Sequence, residues 1–347
     1  MNTRSLGAVP LIAMIMALAA GCASAASNPP AASAPPQSED ADITVAAIPA
    51  VDLAGLYIAQ VDGLFAQQGL HVTIEKVPSS QAIIADQLKG QIDISAGSYV
   101  AYISAQAAGA RFRILAEASI LQPGTRVLVT TADSPITTIG DLVGKKIAVN
   151  GINSIGTLLI SALLTEHGIS PKKVHVITDQ AGFPAMPGQL EHGHWNAAFL
   201  AEPYITVAGE EYGEKVLADL DQGAALNLPV DGYVATQAWA LAHPGAAAAF
   251  VRAIEQGQAI ANSDSGSVRA AIATYDKLPA MVTAAMVLSG YPIGPVDAAG
   301  IQRVAAAMLQ FGMLGTEDAT EVEHGTLVES MVGPGSLCRR ALRVHTR

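Results

Sequence analysis

Cysteine is nearly absent: the 347 residues hold two, Cys22 and Cys338, close to opposite ends of the chain. Neither belongs to a C-x-x-C pair, which excludes a zinc cluster and a dithiol redox motif. Positive charge is scarce too, with 19 Lys and Arg against 30 Asp and Glu and a net charge of −11. Nucleic acid demands a basic face, so it is not an expected partner. Charged residues make up only 14%. The apolar run at 11–19 is too short to cross a bilayer. What the chain does have is apolar bulk: half of its residues. That is enough to fill the cores of the roughly two domains this length suggests, and too much for widespread disorder.

The chain also repeats itself at an offset of about 103 residues, a self-similarity that bears directly on architecture. Leu88-x-Gly90-x-x-Asp93-Ile94-Ser95 is matched by Leu190-x-x-Gly193-x-x-Asn196-Ala197-Ala198, and the strand pattern at 72–74 by that at 175–177. Two copies are too few for a solenoid and suffice for two similar α/β lobes with a crevice between them. In each copy strands alternate with helices, the order that builds a mostly parallel sheet. A helix is expected over 53–68, with Asp52 as its N-cap. Ligands of such sheets sit outside the carboxyl ends of the strands, where helix N-termini point N–H groups outward. This selects six loops: 49–52, 78–80 and 95–98 in the first copy, 150–156, 179–183 and 200–204 in the second. A returning strand at 232–236 precedes an all-helical end expected to pack on the first lobe. Lobe I is therefore drawn as 42–127 plus 236–330 and lobe II as 128–235. Crossings near 127–131 and 231–235 would form a hinge.

Arg4, the apolar run and Ala19-Ala20-Gly21-Cys22 resemble a bacterial lipoprotein signal over 1–21, with Cys22 as the lipidated first residue of the mature chain. Ala19 stands where that pattern usually carries Leu. Segment 22–41, rich in Ala, Ser and Pro, reads as a disordered tether. The expected location is extracytoplasmic, lipid-anchored to the cell membrane. The tail 331–347, with Cys338, Arg339, Arg340 and Arg343, matches no known pattern.

Several motifs occur in order along the chain: Leu56-Tyr57-Ile58-Ala59-x-x-x-Gly63-Leu64-Phe65-x-x-x-Gly69-Leu70-x-Val72, Gly90-x-x-Asp93-Ile94, Asp133-Ser134-Pro135-Ile136, Asp141-Leu142-x-Gly144-Lys145-Lys146-Ile147-Ala148-Val149 and Ala201-Glu202-Pro203. Together they resemble the periplasmic solute-binding proteins for nitrate, alkanesulfonates, taurine and thiamine-precursor pyrimidines, over about residues 42–330. The resemblance implies a two-lobed periplasmic-binding-protein fold of type II kind that closes on a small organic solute. It also implies delivery to the permease and ATPase of an ABC importer, with no catalysis, no cofactor and no metal, and a monomer. An enzyme on the same fold, such as a pyrimidine synthase or dehydratase, and a ligand-sensing subunit of a membrane signalling system are the rivals.

Within the six loops the expected ligand contacts are Asp52, Tyr57, Ser79, Gly97, Ser98, Asn153, Ser154, Thr157, Phe183, Glu202 and Tyr204. Asn153, Ser154 and Thr157 open a helix whose free N–H groups serve any polar ligand. Gly151 and Gly156 faintly suggest a phosphate loop, but its lysine is missing, and a turn into a helix explains both. His192 and His194, two apart on a turn, read as solvated rather than as a metal pair. Tyr57, Tyr99, Phe183 and Tyr204 could stack on a planar ring, or simply pack. Asp52 and Glu202 either cap helices or accept hydrogen bonds from a bound amine. None of the six loops contains Arg or Lys, which tilts the expectation towards a neutral or cationic solute.

Overall fold

The computed structural model describes residues 41–333; Cys22, the expected signal, nearly all of the tether and the basic tail with Cys338 lie outside the described residues. Along β1 (Ala41–Ala47) the side chains of Ile43, Val45 and Ala47 enter one core cluster while Ala46 enters another. Burial on both faces is what a parallel strand covered by helices on each side requires. The first half continues with α1 (Ala54–Val61), α2 (Leu64–Gln67), β2 (Leu70–Lys76), α3 (Ser80–Leu88), β3 (Ile94–Ser98), α4 (Tyr99–Ala107) and β4 (Phe112–Ile120). The helix expected over 53–68 is broken, because Gly63 adopts a left-handed φ of 68° that ends α1 and starts α2.

The second sheet collects β5 (Arg126–Thr130), β6 (Lys146–Val149), α5 (Ile155–Glu166), β7 (His175–Thr178), α6 (Met186–Glu191), β8 (Ala197–Ala201), α7 (Tyr204–Tyr212) and β9 (Lys215–Asp219). The chain then returns through β10 (Pro229–Thr236) to α8 (Gln237–Ala242), α9 (Pro244–Ser263), α10 (Ser265–Asp276), α11 (Ala280–Ala285), α12 (Ala298–Gln310), α13 (Ala319–Glu323) and α14 (Thr326–Val332). Of these, α9 and α10 pack on α1, while α12 and α14 pack on α4, so most of this end lies against the first sheet as expected. Helix α11 instead touches α7 of the second.

The two sheets have the same plan, β2-β1-β3-β10-β4 and β7-β6-β8-β5-β9. In each, three parallel strands from the repeat are followed by an antiparallel fourth, β10 beside β3 and β5 beside β8. This is a two-lobed α/β fold. The expected crossings at 127–131 and 231–235 need correction, as does the assignment of 229–235 to the second lobe. Ladder pairing places β5 wholly in the second sheet and β10 wholly in the first. The chain changes sheets just before each, through 121–125 and 220–228, and the two crossings touch where Leu121 N–H donates to the Leu228 carbonyl at 2.9 Å. Strand β9 is not expected from the sequence pattern. Its sequence, KVLAD, covers a half-exposed edge position and lacks the apolar alternation that marks the inner strands.

Candidate functional site

The carboxyl ends of β1, β3, β6 and β8 face one crevice, as the alternation of strands and helices requires. The amino ends of the two antiparallel strands arrive there too. Register pairs Asp231 of β10 with Ser98 at the end of β3, and Arg126 of β5 with Ala201 at the end of β8. Arg126 and Asp231 therefore stand on the crevice floor, one from each sheet.

A small cavity lies there, with room for roughly one water. Its polar lining includes Ser80, Ser98, Arg126, Asn150, Ser154 and Asp231; Leu53, Ile155 and Phe183 are among the apolar walls. Helices α4 and α5 both begin at this cavity, after Ser98 and Ser154. The Ser98 hydroxyl accepts from Val100 N–H at 3.3 Å, whereas the Ser154 hydroxyl, Asn150 Oδ1 and Arg126 Nε are buried without a hydrogen-bond partner.

Arg126 is 2% exposed, and its Nη2 lies 2.8 Å from Asp52 Oδ2 and 3.5 Å from Asp231 Oδ2. Ser289 Oγ donates to the other Asp52 oxygen at 3.0 Å, and Ser119 Oγ reaches Asp231 at 3.4 Å. Around this floor the sheets are bridged at the rim. Val51 N–H donates to the Glu202 carbonyl at 3.0 Å, and the Gln81 amide donates to the Asn153 carbonyl. A Cβ on Gly182 would stand 2.9 Å from the Pro78 carbonyl, and one on Gly151 would stand 2.4 Å from the Gln81 side chain.

The sequence profile described as NMT1/THI5-like matches residues 50–264, well over half of the chain. The chain belongs to the NMT1/THI5-like family. A protein of Escherichia coli (strain K12) described as a putative aliphatic sulfonates-binding protein is 28% identical over 215 residues, 60% of this chain and 64% of that relative. The match thus spans less than two thirds of the relative's length. The alkanesulfonate-binding protein of Xanthomonas axonopodis pv. citri, solved with MOPS bound, superposes with a TM-score of 0.68 at 20% identity, over 80% of this chain and 95% of its own. The periplasmic nitrate-binding protein of Synechocystis PCC 6803 gives 0.70 at 15% identity, over 88% and 89%. At such identities the likeness is one of fold. A desulfurization enzyme shares that fold, with a TM-score of 0.60 at 15% identity over 88% of this chain and 99% of its own.

In this NMT1/THI5-like chain the expected contacts divide. Gly97, Ser98, Ser154 and Phe183 line the cavity, and Asp52 reaches it through Arg126. Ser79 instead caps α3, accepting from Ala82 N–H at 3.4 Å, and its neighbour Ser80 takes the lining position. Tyr57 is stacked on Tyr275 at 3.4 Å between ring centroids. Tyr204 donates to Asp276 Oδ2 at 3.0 Å and stacks on Phe183. Asn153 offers its carbonyl to Gln81 at the rim, and the Thr157 hydroxyl is buried without a partner outside the lining.

Asp52 does not cap a helix: it lies inside a short 3₁₀ turn after Ala50, and its carboxylate goes to Arg126 and Ser289. Glu202 does act at a helix start. It accepts from Thr206 N–H and the Thr206 hydroxyl, and from Val287 N–H at 3.0 Å, so its carboxylate clasps α7 to the segment after α11. Burial pushes the Glu202 carboxyl up, while those hydrogen bonds and Arg126 pull it back. Burial pushes Asp231 up to about 7, with Asp52 adding to the rise and Arg126 and Ser119 opposing it. Gly156 has a packing reason: a Cβ there would stand 2.5 Å from the Phe199 ring, so α5 lies directly on β8.

Arg126 and Asp231 were absent from the expected contacts, and their location explains why. Both lie at the amino end of an antiparallel strand, whereas ligand loops are expected at the carboxyl ends of parallel ones. The signal that could have found them is direction: a strand entered from the hinge runs antiparallel and presents its first residues to the crevice.

Proposed function

We propose that this protein is an extracytoplasmic solute-binding protein of an ABC importer, and that its solute is small and carries an acidic group. The observation that carries the reading is Arg126 in the cavity wall, beside the unpartnered Ser154 hydroxyl and the starts of α4 and α5, whose N–H groups favour negative charge. This reverses the earlier tilt towards a neutral or cationic solute, which rested on loops without Arg or Lys. The names of the sulfonate- and nitrate-binding relatives fit an oxyanion.

The mechanism is capture without chemistry. The lobes open about the crossings at 121–125 and 220–228, an anion entering between them binds groups from both, and the closed form is favoured by its tighter grip. Moving a population from mostly open to mostly closed takes about 5.5 kcal/mol of differential affinity. A membrane permease with its ATPase would receive the closed form, and a lipid on Cys22 would hold the protein near it. The fold also carries an enzyme, but the polar cavity lining supplies serines, an asparagine and the ion cluster, with no histidine or cysteine to activate a nucleophile.

Calorimetric titration with ethanesulfonate, nitrate, acetate and an uncharged aminopyrimidine tests the reading. Expected is binding of at least one anion, with a smaller radius of gyration in solution scattering. Tighter binding of the pyrimidine than of any anion overturns it. Cys22→Ser should release the protein from the membrane fraction; unchanged retention would remove the anchor from the proposal.

A further inference from the structure

We infer that the acidic solute enters this site together with a proton: as the solute's anion takes the Arg126 guanidinium, Asp231 takes up a proton from solvent. The inference rests on the anionic-solute reading above and says how the site keeps its charge within bounds.

The cluster holds one cation and two carboxylates, all buried: Arg126, Asp52 and Asp231. Once the crevice has widened to admit a monovalent anion, the cluster would carry a net charge of −2 on groups that are all buried. Buried charge without compensation is the costliest arrangement a protein interior can hold, and a carboxylate escapes it by binding a proton.

Geometry selects which carboxylate responds. Asp52 keeps a 3.0 Å hydrogen bond from Ser289 when Arg126 turns to the solute. Asp231 keeps only the 3.4 Å contact with Ser119, and its link to Arg126 is already the longer one, 3.5 Å against 2.8 Å. The other titratable groups acting on Asp231 give no positive charge. Tyr99 and Tyr102 approach from α4, and Tyr233 from its own strand; each is held neutral by burial. Glu117, on β4, acts on Tyr99 and adds a further acidic group. Tyr291 faces Asp52, and Glu202 faces Arg126. Arg126 is thus the cation on which the ionised form of Asp231 depends. The step balances simply: one proton leaves the solvent buffer and forms an O–H bond on Asp231.

The direction with pH follows. Burial already raises Asp231, so well below about pH 7 it is protonated before the solute arrives and little proton is taken up. Above that pH the free site is ionised and uptake approaches one per anion bound. Affinity then falls towards tenfold for each unit of pH.

Calorimetry of the full chain with ethanesulfonate tests this, run at about pH 6 and about pH 8 in pairs of amine buffers with different ionisation enthalpies. Expected is a heat that depends on the buffer at the higher pH and hardly at the lower, with affinity dropping as pH rises. Asp231→Asn removes the buffer dependence, whatever its own affinity. Equal heats in both buffers at the higher pH overturn the inference and leave the solute-binding reading standing. So does a buffer dependence that persists in Asp231→Asn. No heat from ethanesulfonate, nitrate or acetate in the unaltered protein overturns the anionic-solute reading, and this inference with it. Should the variant fail to fold, equal heats in the unaltered protein at the higher pH still overturn the inference.

Discussion

In the first sheet β10 fills the fourth place and brings Asp231 to the crevice; in the second β5 fills it and brings Arg126. The three strands before them follow one plan in both halves, so the same position on two similar scaffolds carries opposite charges. Those charges meet on the crevice floor, where each lobe supplies what the other lacks. The first lobe contributes both carboxylates, Asp52 and Asp231, and the second the guanidinium. Duplicated topology thus does not imply duplicated chemistry. The repeat explains why the strands end where they do, and the hinge-entry strands explain what stands at the floor.

The sharpest way to break this comparison is to remove the one positive partner. Arg126→Gln leaves two buried carboxylates facing each other without compensation, and stripping one side of a buried ion pair costs about 3–5 kcal/mol. Urea unfolding should show a loss of that size, and binding of ethanesulfonate should vanish. Asp52→Asn or Asp231→Asn leaves the guanidinium with a remaining carboxylate and should cost less. If Arg126→Gln costs no more than either, the two lobes are not coupled through charge.

A smaller effect tests the rim against a control away from it. Gly90, past the far end of α3 in the first lobe, and Gly182, in a crevice loop of the second lobe, both have a left-handed φ, 76° and 72°. A Cβ on Gly90 meets nothing within 4 Å, whereas one on Gly182 meets the Pro78 carbonyl across the crevice. Alanine at either site costs about 1–2 kcal/mol of backbone strain. Only Gly182→Ala should also weaken solute binding, by about tenfold, because the closed rim cannot form around it. Equal affinities in the two variants would show that this rim contact has no part in closure.

How much of this was legible beforehand depends on the direction of the chain. Parallel strands were found through their β-branched runs and through the repeat, so the crevice loops at Gly97, Ser98, Ser154 and Phe183 followed from one rule. The same rule was blind to β5 and β10, whose cleft-facing residues open the strand. Loops without Arg or Lys therefore do not leave the crevice without a cation: Arg126 belongs to a strand. Side-chain destinations were the other gap. Asp52 was placed correctly beside the crevice, but nothing local tells that its partner lies 74 positions away (126 − 52). Tyr57 sits on an apolar helical stripe, and the packing reading weighed for it describes its stack on Tyr275.

The buried glutamates also differ between lobes, and pH reads the difference. Glu117 in β4 accepts from Asp297 N–H at 3.1 Å, whereas both oxygens of Glu214, beside β9, are buried without a partner. Burial pushes Glu214 up to about 8, with Glu191 adding to it. A carboxyl raised on folding favours the protonated fold. Its contribution is fully present below the unfolded value and is lost as pH rises through the folded one. Glu214→Gln cannot ionise, so its melting temperature should gain on wild type between about pH 5 and pH 9 and match it in acid. Glu117→Gln should gain less, because the ionised carboxylate accepts from Asp297 N–H more strongly than a neutral amide oxygen does. A parallel pH response in Glu214→Gln and wild type would place the charge elsewhere.

The smallest expected effect belongs to Tyr57, paired in the first lobe against Tyr204 in the second. The Tyr204 hydroxyl donates to Asp276, while that of Tyr57 is buried with no acceptor at all. Deleting an unsatisfied buried hydroxyl removes a group whose desolvation was never repaid, so Tyr57→Phe should raise stability slightly, by no more than about 0.5 kcal/mol. Its ring keeps the stack on Tyr275, and the hydroxyl is not part of the cavity wall, so affinity for ethanesulfonate should stay where it was. A tenfold loss of affinity at unchanged stability would mean that the hydroxyl meets the solute. The first lobe would then contribute an aromatic donor to the site as well as its two carboxylates.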